Sequence, residues 1–280
     1  MSTTPPTPPH IDVLSIMSQV VYGSVGNTIT VPLLQRLGLR VAAVPTVVLS
    51  NTPHFPTVHG GALPTDWFAG YLDDLVARGA LPRLQAVVVG YLGSRGQLDA
   101  RRDWWEREQP RLPEPLLVID PVMGDHDHGV YVDPSLVQAL RERLPGRATG
   151  LTPNGFELAQ LTGLPVDSIE QVVTAARGLL VGRTQWVAVT SAAPDSCADD
   201  EMKIAVVTRS SADVLVHPRL SITPKGTGDL FTASVVAGVL RGLSVVEAAT
   251  RAYQLVLAAL RHTDRAGCSE LLLPPADNGV

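Results

Sequence analysis

Short apolar runs recur along this chain, each separated from the next by a segment whose apolar residues fall at helical spacing. The runs at residues 11–16, 39–49, 86–89, 116–119 and 186–190 have the character of strands covered on both faces. Helical spacing occupies 27–37, 66–78, 97–108, 156–161 and 169–181, a hairpin is expected through 203–216, and two long helices, 229–240 and 245–263, close the chain. Strands that alternate with helices must lie side by side in one direction, so the pattern predicts a doubly wound α/β fold with a mostly parallel sheet. No shift in composition marks a linker and no segment repeats, which makes 11–280 one expected domain. Residues 1–10, dominated by Thr and Pro, read as a disordered leader.

Composition removes several classes of function. The 280 residues are 45% hydrophobic, enough apolar mass for a full core. Lys and Arg total 22 against 27 Asp and Glu, a net charge of −5, and no basic run is present to neutralise a nucleic-acid backbone. No apolar stretch reaches membrane-spanning length before Arg, Pro or Gly interrupts it. Cys197 and Cys268 lie far apart with no Cys or His at metal-ligand spacing, which fits a reducing cytoplasm and a soluble protein.

In open parallel sheets ligands bind beyond the carboxyl ends of the strands, so the residues just after each apolar run come first. They are polar: Ser18, Ser50 and Asn51, Gly90 and Tyr91, Asp120, and Thr190 with Ser191. Neither a Walker-type loop nor a dinucleotide G-x-G-x-x-G follows a strand, which takes away the main support for a P-loop enzyme or a dehydrogenase. What the chain offers is Lys225-Gly226-Thr227-Gly228-Asp229 at the mouth of a small-residue helix. Glycines let successive N–H groups converge, and the helix dipole adds positive potential, so this string can hold an anion. Asp229 beside it can take a proton from an alcohol, or the string is an ordinary helix cap. Asn154 and Glu157, three apart at another helix start, suit a hydrated Mg²⁺ or equally a capping box. Asp120 terminates an apolar run, whereas Asp125 opens a polar loop. His126 and His128 lie in that Gly-flanked loop and read as part of a flap over a nucleotide, with Tyr131 just beyond, rather than as a metal site.

Taken in order, Ser18-Gln19-Val20-Val21-Tyr22-Gly23, Ser50-Asn51-Thr52-Pro53-His54, Gly90-Tyr91, Asp120 to Asp125, Thr152-Pro153-Asn154 with Glu157, Val189-Thr190-Ser191 and Gly226-Thr227-Gly228-Asp229 resemble the bacterial pyridoxal kinases of the ribokinase-like superfamily. The likeness runs from about residue 11 to 274. The Gly-Thr-Gly-Asp string is shared with sugar and hydroxymethylpyrimidine kinases, while the strings at Ser18 and Ser50 point to the vitamin B6 branch.

The resemblance implies a role for each matching position. Asp229 is the base for the 5′-hydroxymethyl group, and the backbone of Gly226, Thr227 and Gly228 stabilises the transferred phosphoryl. Ser18 hydrogen-bonds the pyridine ring in a pocket lined by Thr46, His54 and Tyr91. Asp120, Asn154 and Glu157 surround Mg²⁺ and the phosphates of ATP, with Asp120 and Glu157 as the metal pair. Thr152 and Thr190 contact the phosphates, and His217, Pro218, Arg219 and Leu220 border the adenosine. A monovalent cation such as K⁺ and a homodimer are also implied. Rival expectations are a hydroxymethylpyrimidine kinase and a non-catalytic carrier of pyridoxal phosphate, the latter having no need of a base or a metal pair.

Overall fold

The computed structural model describes residues 9–275, so most of the expected leader lies outside the described residues; His10, its last residue, meets Arg40 at 3.3 Å. The first half runs β1 (Val13–Val20), α1 (Asn27–Arg36), β2 (Val41–Leu49), β3 (Gly60–Ala62), α2 (Thr65–Ala77), β4 (Ala86–Val89), α3 (Arg95–Glu108), β5 (Leu116–Ile119), β6 (Gly124–Asp125) and β7 (Gly129–Val130). It continues through α4 (Pro134–Arg143), β8 (Gly150–Leu151), α5 (Gly155–Thr162), α6 (Ile169–Gly178), β9 (Trp186–Val189), β10 (Glu201–Thr208), β11 (Ala212–Pro218), α7 (Thr227–Leu240) and α8 (Val245–Arg265).

Nine strands form one sheet in the order β11-β10-β9-β8-β5-β4-β1-β2-β3. The six central strands β9, β8, β5, β4, β1 and β2 are parallel, and antiparallel strands finish both edges. Burial on both faces explains the unbroken apolar runs. Leu14 and Ile16 of β1 join Phe68, Leu72, Trp104, Leu136 and Leu158 under α2 to α6, while Val13 and Met17 join Leu33, Leu230, Val235 and Ala252 under α1, α7 and α8. The sheet thereby sends every parallel strand end, and the loops after them, to one rim. Among the described residues no helix is long and apolar enough to cross a membrane.

Two expectations need correction. The first apolar run does not stop at residue 16: β1 continues to Val20, so Ser18 lies inside the strand. Its polar residues are accommodated because Ser15 Oγ donates to Asn27 Oδ1 at 2.7 Å and Asn27 Nδ2 donates to the Met17 carbonyl at 3.0 Å, while the register with β2 shifts between Met17 and Gln19. The helix α4 and the short strands β3, β6, β7 and β8 escaped the pattern. Helix α4 buries only Leu136, Ala139 and Leu140, and the short strands have two or three residues, too few to show a period.

Candidate active site

Helix α7 begins with Gly226 at φ 97, a left-handed conformation that favours glycine. A Cβ there would stand 1.8 Å from the Ser24 carbonyl oxygen, so the loop after β1 closes directly on this turn. No side chain caps the helix start, and Asp229, in its first turn, faces across the cleft instead. Its Oδ2 accepts the Gly26 N–H at 2.8 Å. Gly26 presses on Ser18 so closely that a Cβ would meet Ser18 Oγ at 2.3 Å, and a Cβ on Gly90 would lie 3.6 Å from Asp229 Oδ1. Ser18, Gly90 and Asp229, far apart in sequence, thus come together around Gly26. Burial raises the Asp229 carboxyl to about 6, with the Gly26 bond opposing the rise.

Asp120, 7% exposed at the end of β5, lies beneath the same helix start: a Cβ on Gly228 would be 3.6 Å from its Oδ2. Thr232 Oγ1 meets that oxygen at 3.4 Å and Thr152 Oγ1 at 2.8 Å. Thr152 is 3% exposed, and its hydroxyl pairs with that of Thr232 on α7, which in turn donates to Asp120. Desolvation, then the neighbouring Glu157 and Asp229 charges, hold the Asp120 carboxyl well above the usual carboxylate range.

The cap reading of Asn154 and Glu157 is realised. Asn154 Oδ1 accepts the Glu157 N–H at 2.8 Å, and Glu157 Oε2 accepts the Asn154 N–H at 2.9 Å. Glu157 Oε1 also accepts the Met123 N–H at 3.0 Å, and Asn154 Nδ2 donates to the Gly124 carbonyl at 2.9 Å. The pair therefore fastens α5 to the segment after β5. Burial raises Glu157 to about 7 despite these donors. Thr190 forms a parallel bridge with Asn154, and Ser191 beside it has φ 45.

The loop 124–130 folds into the hairpin β6–β7, and Tyr131 follows it. Tyr131 is 49% exposed, and its hydroxyl is held well above the ordinary phenol range by burial and then by the charges of Glu157, Asp120, Asp125 and Asp229. His126 packs edge-on against Phe156, whereas His128 bonds Asp125 at 2.8 Å, so the two imidazoles do not converge. Asp125, Asp127 and His128 come within ligand reach of one another on the exposed tip, with Lys225 3.5 Å from Asp125.

On the other side of Asp229, Thr46 Oγ1 donates to the Tyr91 carbonyl at 2.6 Å, and burial raises the Tyr91 hydroxyl. His54 is exposed in the loop after β2, with Nδ1 2.7 Å from Thr52 Oγ1. His217, Pro218, Arg219 and Leu220 lie at the end of edge strand β11 and just after it. His217 stacks on Tyr253 at 5.3 Å and the Arg219 N–H bonds Asp200, so these residues are not gathered with the carboxylates. Three strand spacings of about 4.8 Å, roughly 14 Å in all, separate β11 from β8, a distance on the scale of a nucleotide. Sequence reasoning missed Gly26, Thr232 and Gln97. Gln97 is fully buried and ties Gly93, Thr46 and Leu63 together; a polar residue on the apolar face of α3 was the available signal.

Residues 38–272 match the family model described as phosphomethylpyrimidine kinase. A pyridoxine/pyridoxal/pyridoxamine kinase of Bordetella pertussis is 55% identical over 266 residues, covering 95% of this chain and 94% of the relative. The chain belongs to the pyridoxal kinase family. A pyridoxal kinase of Deinococcus radiodurans, 34% identical over 99% of this chain and 94% of its own, lies further out. Among solved structures, pyridoxal kinase from Entamoeba histolytica shares the fold at a TM-score of 0.87, with 24% identity over 94% of this chain and 93% of that one. Pyridoxal kinase from Leishmania donovani, in complex with ADP and pyridoxamine, superimposes at 0.82, with 28% identity over 94% and 90%.

Proposed function

We propose that this protein transfers the γ-phosphoryl of ATP to the 5′-hydroxymethyl group of pyridoxal, pyridoxine and pyridoxamine through a single ribokinase-like domain spanning 11–280. The observation that carries the reading is the unshared start of α7: its N–H groups have no side-chain cap, and Asp229 beside them is held by Gly26 rather than by its own helix. Curated relatives bearing the kinase name and solved relatives holding ADP with a B6 vitamer support the same conclusion.

In this reading the acceptor alcohol sits between Ser18 and Asp229, with Thr46, Tyr91 and His54 around the ring. Asp229 accepts the hydroxyl proton as that oxygen bonds to the γ-phosphorus, the bond to the β-phosphate oxygen breaks, and ADP leaves; the proton then passes from Asp229 to water. A base at about 6 is largely ionised at neutral pH yet close enough in affinity to take the proton. The Gly226, Thr227 and Gly228 backbone faces the charge that develops on the transferring group. Asp120 and Glu157 fit a divalent cation, because both are buried carboxylates, Asp120 is raised by the Glu157 and Asp229 charges beside it, and neither is offset by a cationic side chain. Asp120 and Glu157 would hold Mg²⁺, which would supply neutralising charge to the phosphates. Thr190 and Asn154 border the phosphates, with Tyr131 above and the strip 217–220 beside the adenosine. We place the protein in the cytoplasm as a homodimer, with K⁺ as an added activator.

The test is ADP release from Mg-ATP with each vitamer and with hydroxymethylpyrimidine, K⁺ being exchanged for Na⁺ in a parallel series. Turnover on the vitamers is expected. Turnover on hydroxymethylpyrimidine alone, or tight vitamer binding without ADP, contradicts the reading.

A further inference from the structure

Glu270 lies in the segment after α8 and is 7% exposed. Both of its carboxylate oxygens are buried, and neither receives a hydrogen bond from a described residue. A carboxylate in that condition is costly, so its retention in the native fold calls for a donor. The nearest cation-forming group is His54, whose Nε2 is 3.7 Å from Oε1. His54 is already held on its other side: Nδ1 lies 2.7 Å from Thr52 Oγ1, and the ring leans on Phe55 at 4.3 Å. Phe55 in turn meets Tyr22 edge-on at 5.9 Å. The second oxygen, Oε2, stands 2.7 Å from where a Cβ on Gly23 would be, and Gly23 has φ 114. Only glycine lets the chain pass so close to the carboxylate.

Three segments therefore converge on one side chain. The loop after β1 brings Tyr22 and Gly23 and goes on to Gly26, the residue that holds Asp229. The loop after β2 brings Thr52, His54 and Phe55, and the C-terminal segment brings Glu270 itself. This segment is anchored independently by the Leu272 N–H on Thr263 Oγ1 at 2.9 Å, so Glu270 is the fixed member and the exposed His54 the adjustable one.

We propose that Glu270 is a positioning residue for the acceptor side of the cleft: it accepts the Nε2–H of His54 and fixes the imidazole, with the loop that carries it, over the acceptor ring. This rests on the reading above that the cleft takes B6 vitamers. Thr52 and Glu270 then hold the two ring nitrogens from opposite sides, leaving the ring face as the surface offered to the acceptor.

The experiment is a double-mutant cycle with steady-state kinetics on pyridoxal and ATP. Glu270→Ala should raise the KM for pyridoxal about tenfold while kcat and the KM for ATP stay within about twofold, the scale of one lost hydrogen bond. Glu270→Gln, whose amide oxygen still accepts the imidazole N–H, should stay within about threefold of wild type. His54→Ala should match Glu270→Ala, and the double variant should add nothing further. Additive increases, a Gln variant as poor as the Ala variant, or a fall in thermal midpoint with an unchanged KM would each overturn the proposal. Should no vitamer be turned over by the wild type, the functional reading fails separately. The same four proteins then give the His54–Glu270 coupling from denaturant unfolding without ligand, where a coupling supports the pair and zero coupling rejects it.

Discussion

Helices α7 and α5 both begin at the rim of the sheet, and both carry a carboxylate in the first turn, yet the two ends are opposites. At α5, Glu157 turns back on Asn154 and completes a capping box, then takes a second backbone N–H, from Met123. At α7, Asp229 ignores its own helix and accepts from Gly26 across the cleft. One end is closed by its own side chains; the other keeps its N–H groups for something else. A local sequence of the same kind thus closes a helix on itself in one place and leaves the helix start open in the other. What decides is the glycine pair around Thr227, which supplies no cap and lets Ser24 and Asp120 approach within contact.

The largest effect should come from Asp229→Asn, which keeps the Gly26 bond and the shape but removes the base. Turnover should fall about 10² to 10⁴-fold in the ADP-release assay. Gly226→Ala comes next: the methyl group meets the Ser24 carbonyl at 1.8 Å in a left-handed conformation, so unfolding by urea should show a loss of more than about 2 kcal/mol, with activity falling alongside. Glu157→Ala should act on stability first, lowering it by about 1 to 3 kcal/mol as the cap opens and the Met123 N–H is stranded. If Asp229→Asn unfolded as easily as Glu157→Ala, the contrast between the two ends would be broken.

The smallest effect is in pH. Asp229 at about 6 lies above the ordinary carboxylate value, so the folded protein binds extra proton between about pH 4 and 6. Its ionised form opposes folding above that window, and the opposition fades as pH falls through 6. Asp229→Asn should therefore be the more stable protein at pH 8, on the order of 1 kcal/mol, with the difference shrinking toward pH 4. A difference that grew as the pH fell would reverse the assignment.

Features encoded locally were legible in the chain. The strand runs that end at Val89 and Ile119, the small-residue helix after Gly226, and Asp120 at a strand end all depend on neighbours in sequence. Whatever depends on the return of distant chain was not. The Gly26 donor to Asp229 lies 203 residues away, and Thr152 finds Thr232 across 80. Nothing in the local pattern announces either. Asn154 and Glu157 show a different obstacle: one spacing serves a cap and a metal site alike, and it is the distant partners Met123 and Gly124, invisible in the local pattern, that reveal the cap and its attachment to the segment after β5. Ser18 reads as lying beyond its strand because polar residues within β1 break the apolar run, although Asn27 ties that strand to α1. The hairpin of β6 and β7 is a consequence of pairing between two-residue strands, which no periodicity registers.

The central claim is that the Asp229 carboxylate performs chemistry rather than holding nucleotide. A single-turnover measurement on Asp229→Asn, at saturating Mg-ATP and pyridoxal, with the ADP dissociation constant determined on the same preparation, tests it most directly. The account predicts a chemical step slower by about 10²-fold or more with nucleotide affinity within about twofold of wild type. A step within a few-fold of wild type, or a loss of affinity that matches the loss of rate, would contradict it.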